Sequence, residues 1–106
     1  MKKLIPAAAA AAVAACAFAM PSPAATVIKV DDDVFRPGSK TVSKGTTVKW
    51  RWVGDDPHNV VVSKGPVKFR SARKRSGTYS RKMTRKGTYT IVCTVHPGMD
   101  MTLKVR

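Results

Sequence analysis

Acidic and aromatic side chains are both scarce in this sequence. The 106 residues contain 20 Lys and Arg but only 6 acids, all of them Asp, which gives a formal net charge of +14. Aromatic residues make up 7% of the chain, and the basic residues are not paired with a stacking platform of aromatics such as nucleic-acid binding uses. The charge instead favours acidic proteins or, as an alternative, peripheral contact with an anionic membrane surface.

Cysteine and histidine are rare as well, with two of each in the chain. Cys16 lies in the N-terminal apolar segment, so its removal leaves Cys93 alone, and a mature domain with one Cys can form no internal disulfide. A lone thiol in an exported protein is prone to oxidation or mispairing unless something occupies it. A bound metal would do so, and burial as an inert core residue is the alternative.

The first 25 residues are typical of an export signal. Lys2 and Lys3 precede an Ala-rich apolar run, residues 4–20, and small residues near its end offer cleavage sites. We therefore expect residues 1–25 to be cleaved and residues 26–106 to form the mature domain. Without the two N-terminal lysines that domain carries 18 − 6 = +12. Its expected location is periplasmic or extracellular.

Two alternatives to cleavage stay open, and both would anchor the protein to a membrane. The apolar run of seventeen residues is at the lower limit for a retained transmembrane helix. The segment Val13-Ala14-Ala15-Cys16 resembles a bacterial lipobox, which would make Cys16 a lipidated residue.

Beyond residue 25 the sequence has neither an internal repeat nor a 3.6-residue periodicity. Short stretches rich in β-branched residues are separated by Gly and Pro instead, which is typical of an antiparallel sandwich or barrel. The chain is thus predicted to be all-β, with about eight strands in one small domain. The predicted strands cover residues 26–30, 41–43, 46–53, 58–63, 67–70, 78–83, 88–93 and 101–105.

The alternation within these strands predicts which side chains face the core. Trp50 and Trp52 share a face with Val48. His58 has the same parity as the apolar residues of its strand, and so does Cys93. We therefore expect both polar side chains to emerge inward, at strand ends, at the rim of one core.

A cluster of potential metal ligands stands near the C-terminus. Cys93 and His96 are separated by two residues, so one turn can aim both side chains at the same point. The remaining His of the chain, His58, would supply a second imidazole. One thiolate, two imidazoles and a weak axial thioether describe a blue-copper site. Zinc would require a fourth strong ligand, for which only Asp56 and Asp100 are near in sequence.

Met99 and Met101 both compete for the axial position. Met101 has the parity of Leu103 and Val105, which favours a core role. Met99 follows the Pro-Gly turn, three residues beyond His96, where the chain is still curving. We therefore predict that His58, Cys93, His96 and Met99 hold one mononuclear copper.

These motifs resemble the cupredoxins, the plastocyanin/azurin family. The resemblance rests on Pro57-His58-Asn59-Val60 and on the C-x2-H-P-x-M pattern of Cys93 to Met99, which is similar to the amicyanin loop. Plastocyanin and pseudoazurin place the Met two residues later, at Met101 here. The resemblance implies a Greek-key β-sandwich and a copper that cycles between Cu(I) and Cu(II). It also implies that Asn59 ties the two ligand loops together, with Thr94 as its partner.

The function implied is that of an electron carrier and not of an enzyme. His96 would be the exit point for outer-sphere transfer to an acidic redox protein or a membrane-bound oxidoreductase, with the carrier itself a monomer. The segment 64–86 holds ten of the mature basic residues and would steer such a partner. Two alternatives use the same sequence differently: a copper carrier or storage protein, and a metal-free module that binds polyanions.

Overall fold

Eight β-strands make up the domain. The computed structural model describes residues 25–106, and these contain strands and turns but no helix, so none of them forms a helix able to cross a membrane. The all-β prediction is confirmed. The predicted leader, with Cys16, lies outside the described residues except for Ala25. The strands are β1 Thr26–Asp31, β2 Val34–Arg36, β3 Ser39–Val42, β4 Thr47–Trp52, β5 Val61–Lys64, β6 Thr78–Lys82, β7 Gly87–Val92 and β8 Asp100–Val105.

The strands form two four-stranded sheets, in the orders β2-β1-β4-β6 and β3-β8-β7-β5. Four of the six strand pairs are antiparallel, but β1 pairs with β4, and β3 with β8, in parallel. The purely antiparallel arrangement suggested by the sequence is therefore wrong in these two pairs. Parallel neighbours cannot be joined by a tight hairpin, and in both cases the intervening chain forms other strands before the partner is reached.

The core lies between the two sheets and follows the predicted alternation. In β4 the side chains of Val48, Trp50 and Trp52 are buried, whereas Arg51 is exposed. In β8 the buried residues are Met101, Leu103 and Val105. Trp50 lies at the centre with no exposed surface and contacts the rings of Phe69 and Tyr79, each with a centroid 6.0 Å away. Because alternate side chains point to the same face of a strand, the apolar residues of both sheets meet in one core.

The structure departs from the predicted strands at three places, while the ends of the other strands shift by one or two residues. Strand β2 was not predicted. Strand β5 begins at Val61, since His58 leaves the sheet and pairs instead with Lys74 in an isolated bridge. The predicted strand 67–70 is reduced to a single bridge between Arg70 and Val61.

Candidate metal centre

The backbone of His58 is held on both sides. Its N–H donates to the carbonyl of Lys74, and the N–H of Lys74 donates back to the carbonyl of His58, both at 3.0 Å. The indole N–H of Trp52 also donates to the His58 carbonyl, at 3.1 Å. The imidazole has no exposed surface. This buried, doubly anchored position fixes where the ring can point.

The loop that follows β7 carries two more of the predicted ligands, Cys93 and His96. Cys93 is the first residue after the strand, and its N–H donates to the carbonyl of Met99 at 2.9 Å. The N–H of Met99 in turn donates to the carbonyl of His96 at 3.1 Å. Gly98 makes this tight closure possible because its φ of 87° lies in the left-handed region that favours glycine. Seven residues thus fold back onto themselves, and the Cys93 thiol remains buried.

The three predicted strong ligands converge. Sγ of Cys93 lies 3.9 Å from Nδ1 of His58 and 3.7 Å from Nδ1 of His96, and the donor atoms of the three residues all lie within 4.8 Å of one another. Metal bonds of about 2.0 Å to nitrogen and about 2.3 Å to sulfur, set roughly 120° apart as in a trigonal site, would separate sulfur from nitrogen by about 3.7 Å. The arrangement therefore fits a trigonal site without a change in backbone.

Two hydrogen bonds join the loop of His58 to the loop of Cys93. The side-chain amide of Asn59 donates to Oγ1 of Thr94, and the backbone N–H of Thr94 donates to Oδ1 of Asn59, both at 2.8 Å. Asn59 is buried and directly follows His58, and Thr94 directly follows Cys93. The link expected from the family resemblance is therefore present.

The outer nitrogens of both imidazoles face carboxylates. Nε2 of His58 lies 3.1 Å from Oδ1 of Asp32, and Nε2 of His96 lies 3.4 Å from Oδ1 of Asp33. The backbone N–H of Asp56, followed by His58 and the N–H of Asp55, lowers the pKa of Asp32 below its usual 3.8. In the sequence, Asp32 and Asp33 belong to the run Asp31-Asp32-Asp33, which gives no indication of either contact. A pairing across 26 residues of chain leaves no local signal.

The donor set fits copper better than zinc. A structural zinc site needs four strong ligands, but among the described residues no carboxylate groups with Cys93. Asp56 groups instead with Asp33 and His96, and Asp33 meets the outer nitrogen of that His. Around the sulfur the strong donors are therefore two imidazoles and one thiol, which is the set that copper(II) and copper(I) accommodate.

Met99 and Met101 are equally buried, with 2% of each exposed, but they belong to different parts of the fold. Met99 closes the ligand loop through its backbone. Met101 lies in β8, opposite Ile91 of β7, on the face that forms the core. Backbone hydrogen bonds thus connect Met99 to Cys93 and His96, whereas Met101 packs in the core beside Ile91.

The two histidines predicted as ligands differ in their access to solvent. The side chain of His96 is 25% exposed whereas that of His58 is fully buried, and the centroids of the two rings lie 4.6 Å apart. An approaching molecule can therefore reach the site through the edge of His96.

Charge is distributed unevenly around this end of the sandwich. Five of the six acids lie in contact with a predicted ligand or in the segments beside one, namely Asp32, Asp33, Asp55, Asp56 and Asp100, whereas Asp31 pairs with Arg36. The basic loop 71–77 reaches the same end, where Arg75 donates to the carbonyl of Asp55 at 3.2 Å. The net charge alone did not indicate that the rim of the site carries both signs.

Sequence comparison supports the copper interpretation. A family model described as copper binding proteins, plastocyanin/azurin family, matches residues 24–106. Amicyanin-alpha from Methylorubrum extorquens is 32% identical over 78 residues, which cover 70% of this chain and 66% of that protein. The chain thus spans just under two thirds of the length of this relative.

Solved structures with the same fold include several amicyanins. A proline-to-glycine variant of amicyanin, reduced to Cu(I) at pH 4, is similar with a TM-score of 0.70 and 27% identity, over 83% of this chain and 88% of that one. A methionine-to-alanine variant in the Cu(I) form gives 0.71 and 28% over the same shares. A Cu-containing nitrite reductase from Thermus scotoductus SA-01 matches with a TM-score of 0.70 at 24% identity, over 81% of this chain but only 23% of that enzyme. This last likeness concerns the fold alone.

Proposed function

The chain belongs to the plastocyanin/azurin family of copper-binding proteins, and we propose that it is a blue-copper carrier of single electrons. The observation that carries the proposal is the convergence of one thiol and two imidazole nitrogens at trigonal spacing in a buried position. When bound, copper supplies reversible one-electron chemistry between Cu(I) and Cu(II). Nothing in this role requires a substrate or a bond to be made, so we infer that the protein is not an enzyme.

We propose His58, Cys93 and His96 as the strong ligands and Met99 as the weak axial ligand. The spacing of the donor atoms supports the first three, and the hydrogen bonds that close the ligand loop at Met99 support the fourth. Because Cys93 directly follows β7 and His58 is held by its backbone bridge to Lys74, we expect the chain to present the same donor arrangement in both oxidation states. This rigidity limits the reorganisation that each transfer requires.

His96 is proposed as the point where electrons enter and leave. Its ring combines a nitrogen directed at the thiol with an edge that is partly open to solvent. The fully buried His58 offers no such edge. A partner that contacts His96 therefore comes closer to the centre than at any point next to His58, and transfer takes place without a shared ligand.

The partner is proposed to be an acidic redox protein or a membrane-bound oxidoreductase, met by a monomeric carrier. The basic loop 71–77 supports this, since it carries Arg73 and Arg75 as exposed cations beside the ligand loop of His58. The positive net charge acts over a longer range and raises the rate of encounter. Because residues 1–25 have the pattern of an export signal, we propose that the carrier works in the periplasm or outside the cell.

One spectrum of the Cu(II)-loaded protein tests the proposal. We expect the intense blue colour of a thiolate-bound Cu(II) in a trigonal site, a loss of that colour in Cys93→Ala, and its retention in the control Ser63→Ala, which alters an exposed side chain of the same domain. A colourless adduct, or an equally blue Cys93→Ala protein, would refute the ligand set.

A second measurement separates electron transfer from copper delivery. An electron carrier should show a reversible potential, fast self-exchange and slow loss of metal to a chelator. Slow self-exchange together with rapid release of copper to a chelator would identify a delivery protein instead.

A further inference from the structure

Asp32 occupies the turn between β1 and β2, and its carboxylate gathers three hydrogen-bond donors. Oδ1 lies 3.1 Å from Nε2 of His58, and it accepts from the backbone N–H groups of Asp55 at 3.0 Å and Asp56 at 2.9 Å. The adjacent Asp33 has a φ of 62°, a left-handed conformation that Asp tolerates better than most residues. The turn therefore directs the carboxylate of Asp32 at the segment that leads into His58.

This contact determines which nitrogen of His58 carries the proton. A carboxylate oxygen accepts hydrogen bonds. Oδ1 of Asp32 already accepts from two backbone N–H groups, so the ring nitrogen that faces it is a donor. Nε2 of His58 is consequently the protonated nitrogen, and Nδ1 is left with its lone pair. Nδ1 is the atom that lies 3.9 Å from Sγ of Cys93.

We propose that Asp32 is a positioning residue of the copper centre, which fixes the ring of His58 in its metal-binding tautomer and biases the centre toward Cu(II). This rests on the proposed function and on His58 as a ligand. A carboxylate hydrogen-bonded to the far nitrogen of a ligating His orients the ring and makes it more basic. A negative charge behind the ligand also stabilises Cu(II) more than Cu(I), because Cu(II) carries the larger charge.

Gly54 is required by this arrangement. A Cβ atom at position 54 would clash with Oδ1 of Asp32 and would lie 2.7 Å from its backbone nitrogen. Cβ atoms do not normally come this close to other atoms, so a side chain would displace the carboxylate, together with the turn that carries it, from its donors. A Gly54→Ala protein therefore keeps the charge of Asp32 but not its position, which separates the two parts of the proposal.

The charge is tested by Asp32→Asn. Its amide oxygen can still accept the hydrogen bond from His58, so we expect the blue colour to persist while the reduction potential rises. A tenfold loss of Cu(II) affinity relative to Cu(I) corresponds to a rise of about 59 mV. The matched control is Asp31→Asn, which removes the same charge from a side chain that pairs with Arg36 at 3.4 Å. Equal potentials in the two variants would refute the charge effect.

The positioning role is tested by Asp32→Ala and Gly54→Ala, with near-ultraviolet dichroism as a check that each protein is folded. We expect copper affinity to fall by roughly 10–100-fold in both, as for other partners behind a metal ligand. Affinities within twofold of the wild-type value in folded proteins would refute the role. If Asp32→Ala does not fold, Gly54→Ala decides the question.

A nitrogen NMR measurement on the full-length, copper-free protein gives a readout that does not depend on the metal. We expect a protonated Nε2 in His58 of the wild-type protein, protected from exchange, and loss of that protection in Asp32→Ala but not in Asp31→Asn. A proton on Nδ1 in the wild type would overturn the proposal. Failure of the proposed function is distinguishable, because a wild-type protein that does not turn blue would leave this tautomer measurement unaffected.

Discussion

Removal of the Asn59 side chain should destabilise the domain and loosen the ligand loop. Asn59→Ala deletes two hydrogen bonds of 2.8 Å to Thr94. A typical hydrogen bond contributes about 0.5–1.5 kcal/mol net, so two give about 1–3 kcal/mol. Thr94 is exposed, and water can hydrate its freed N–H and hydroxyl, which favours the lower half of that range. The free energy of unfolding should therefore fall by about 1–2 kcal/mol.

Urea denaturation of the copper-free protein measures this loss. A double-mutant cycle with Thr94→Ala isolates the bond between the two side chains, for which we expect a coupling of about 0.5–1.5 kcal/mol. Ser63→Ala is the control, because Ser63 makes one exposed hydrogen bond of 3.2 Å to the carbonyl of Thr90. Its effect should remain below about 0.5 kcal/mol.

The reactivity of Cys93 provides an independent test of the same link. If the two bonds hold the loop of Cys93 against that of His58, Asn59→Ala should open the loop more often. The copper-free thiol, which is 4% exposed, should then react faster with an alkylating reagent. An Asn59→Ala protein that matches Ser63→Ala in both stability and thiol reactivity would refute the reasoning.

Two further predictions concern the axial ligand and the basic loop. Met99→Leu should raise the reduction potential while the site stays blue, because a weak axial ligand tunes copper without holding it. Met101→Leu should lower the free energy of unfolding, measured by urea denaturation, by less than about 1.5 kcal/mol, because it is a core substitution of similar volume. It should leave the reduction potential unchanged. Reversal of Arg73 and Arg75 to Glu should slow electron transfer to an acidic partner at low salt in stopped-flow measurements. The effect should fade as salt shortens the Debye length to about 8 Å.

The controls for these two experiments come from the same fold. If the effects of Met99→Leu and Met101→Leu were exchanged, the axial ligand would be Met101, at the spacing of plastocyanin. For the charge reversal, the control is a double variant in which Lys40 of β3 and Lys104 of β8 are replaced by Glu. It changes the net charge by the same amount, at exposed positions outside the basic loop. Equal slowing in both variants would show that only the total charge matters. Lys74 is left intact because its Nζ donates to the carbonyl of Thr78 at 2.6 Å.

Local patterns were sufficient to predict the fold class and the inward direction of two proposed ligands. Alternation in a strand is a property of neighbouring residues, since successive side chains point to opposite faces. Trp50, Cys93 and Met101 could therefore be assigned to the core from the sequence, and all three are buried. His58 was predicted to face inward for the same reason, and it does, although it lies outside β5. Its backbone bridge to Lys74 and the ring contacts with Asp32 and Cys93 hold it inward outside a regular strand.

The tertiary structure decided the relations between distant parts of the chain. No periodicity indicates that β1 pairs with β4 in parallel, because strand pairing depends on how the whole sheet is assembled. No local pattern indicates that Asp32 contacts the outer nitrogen of His58. The same is true of Gly54, whose missing side chain leaves room for that carboxylate. The sequence determined which atoms are available to bind a metal. The parallel pairing of β1 with β4 determined which carboxylate stands behind His58, because it brings the turn after β1 beside the segment that follows β4.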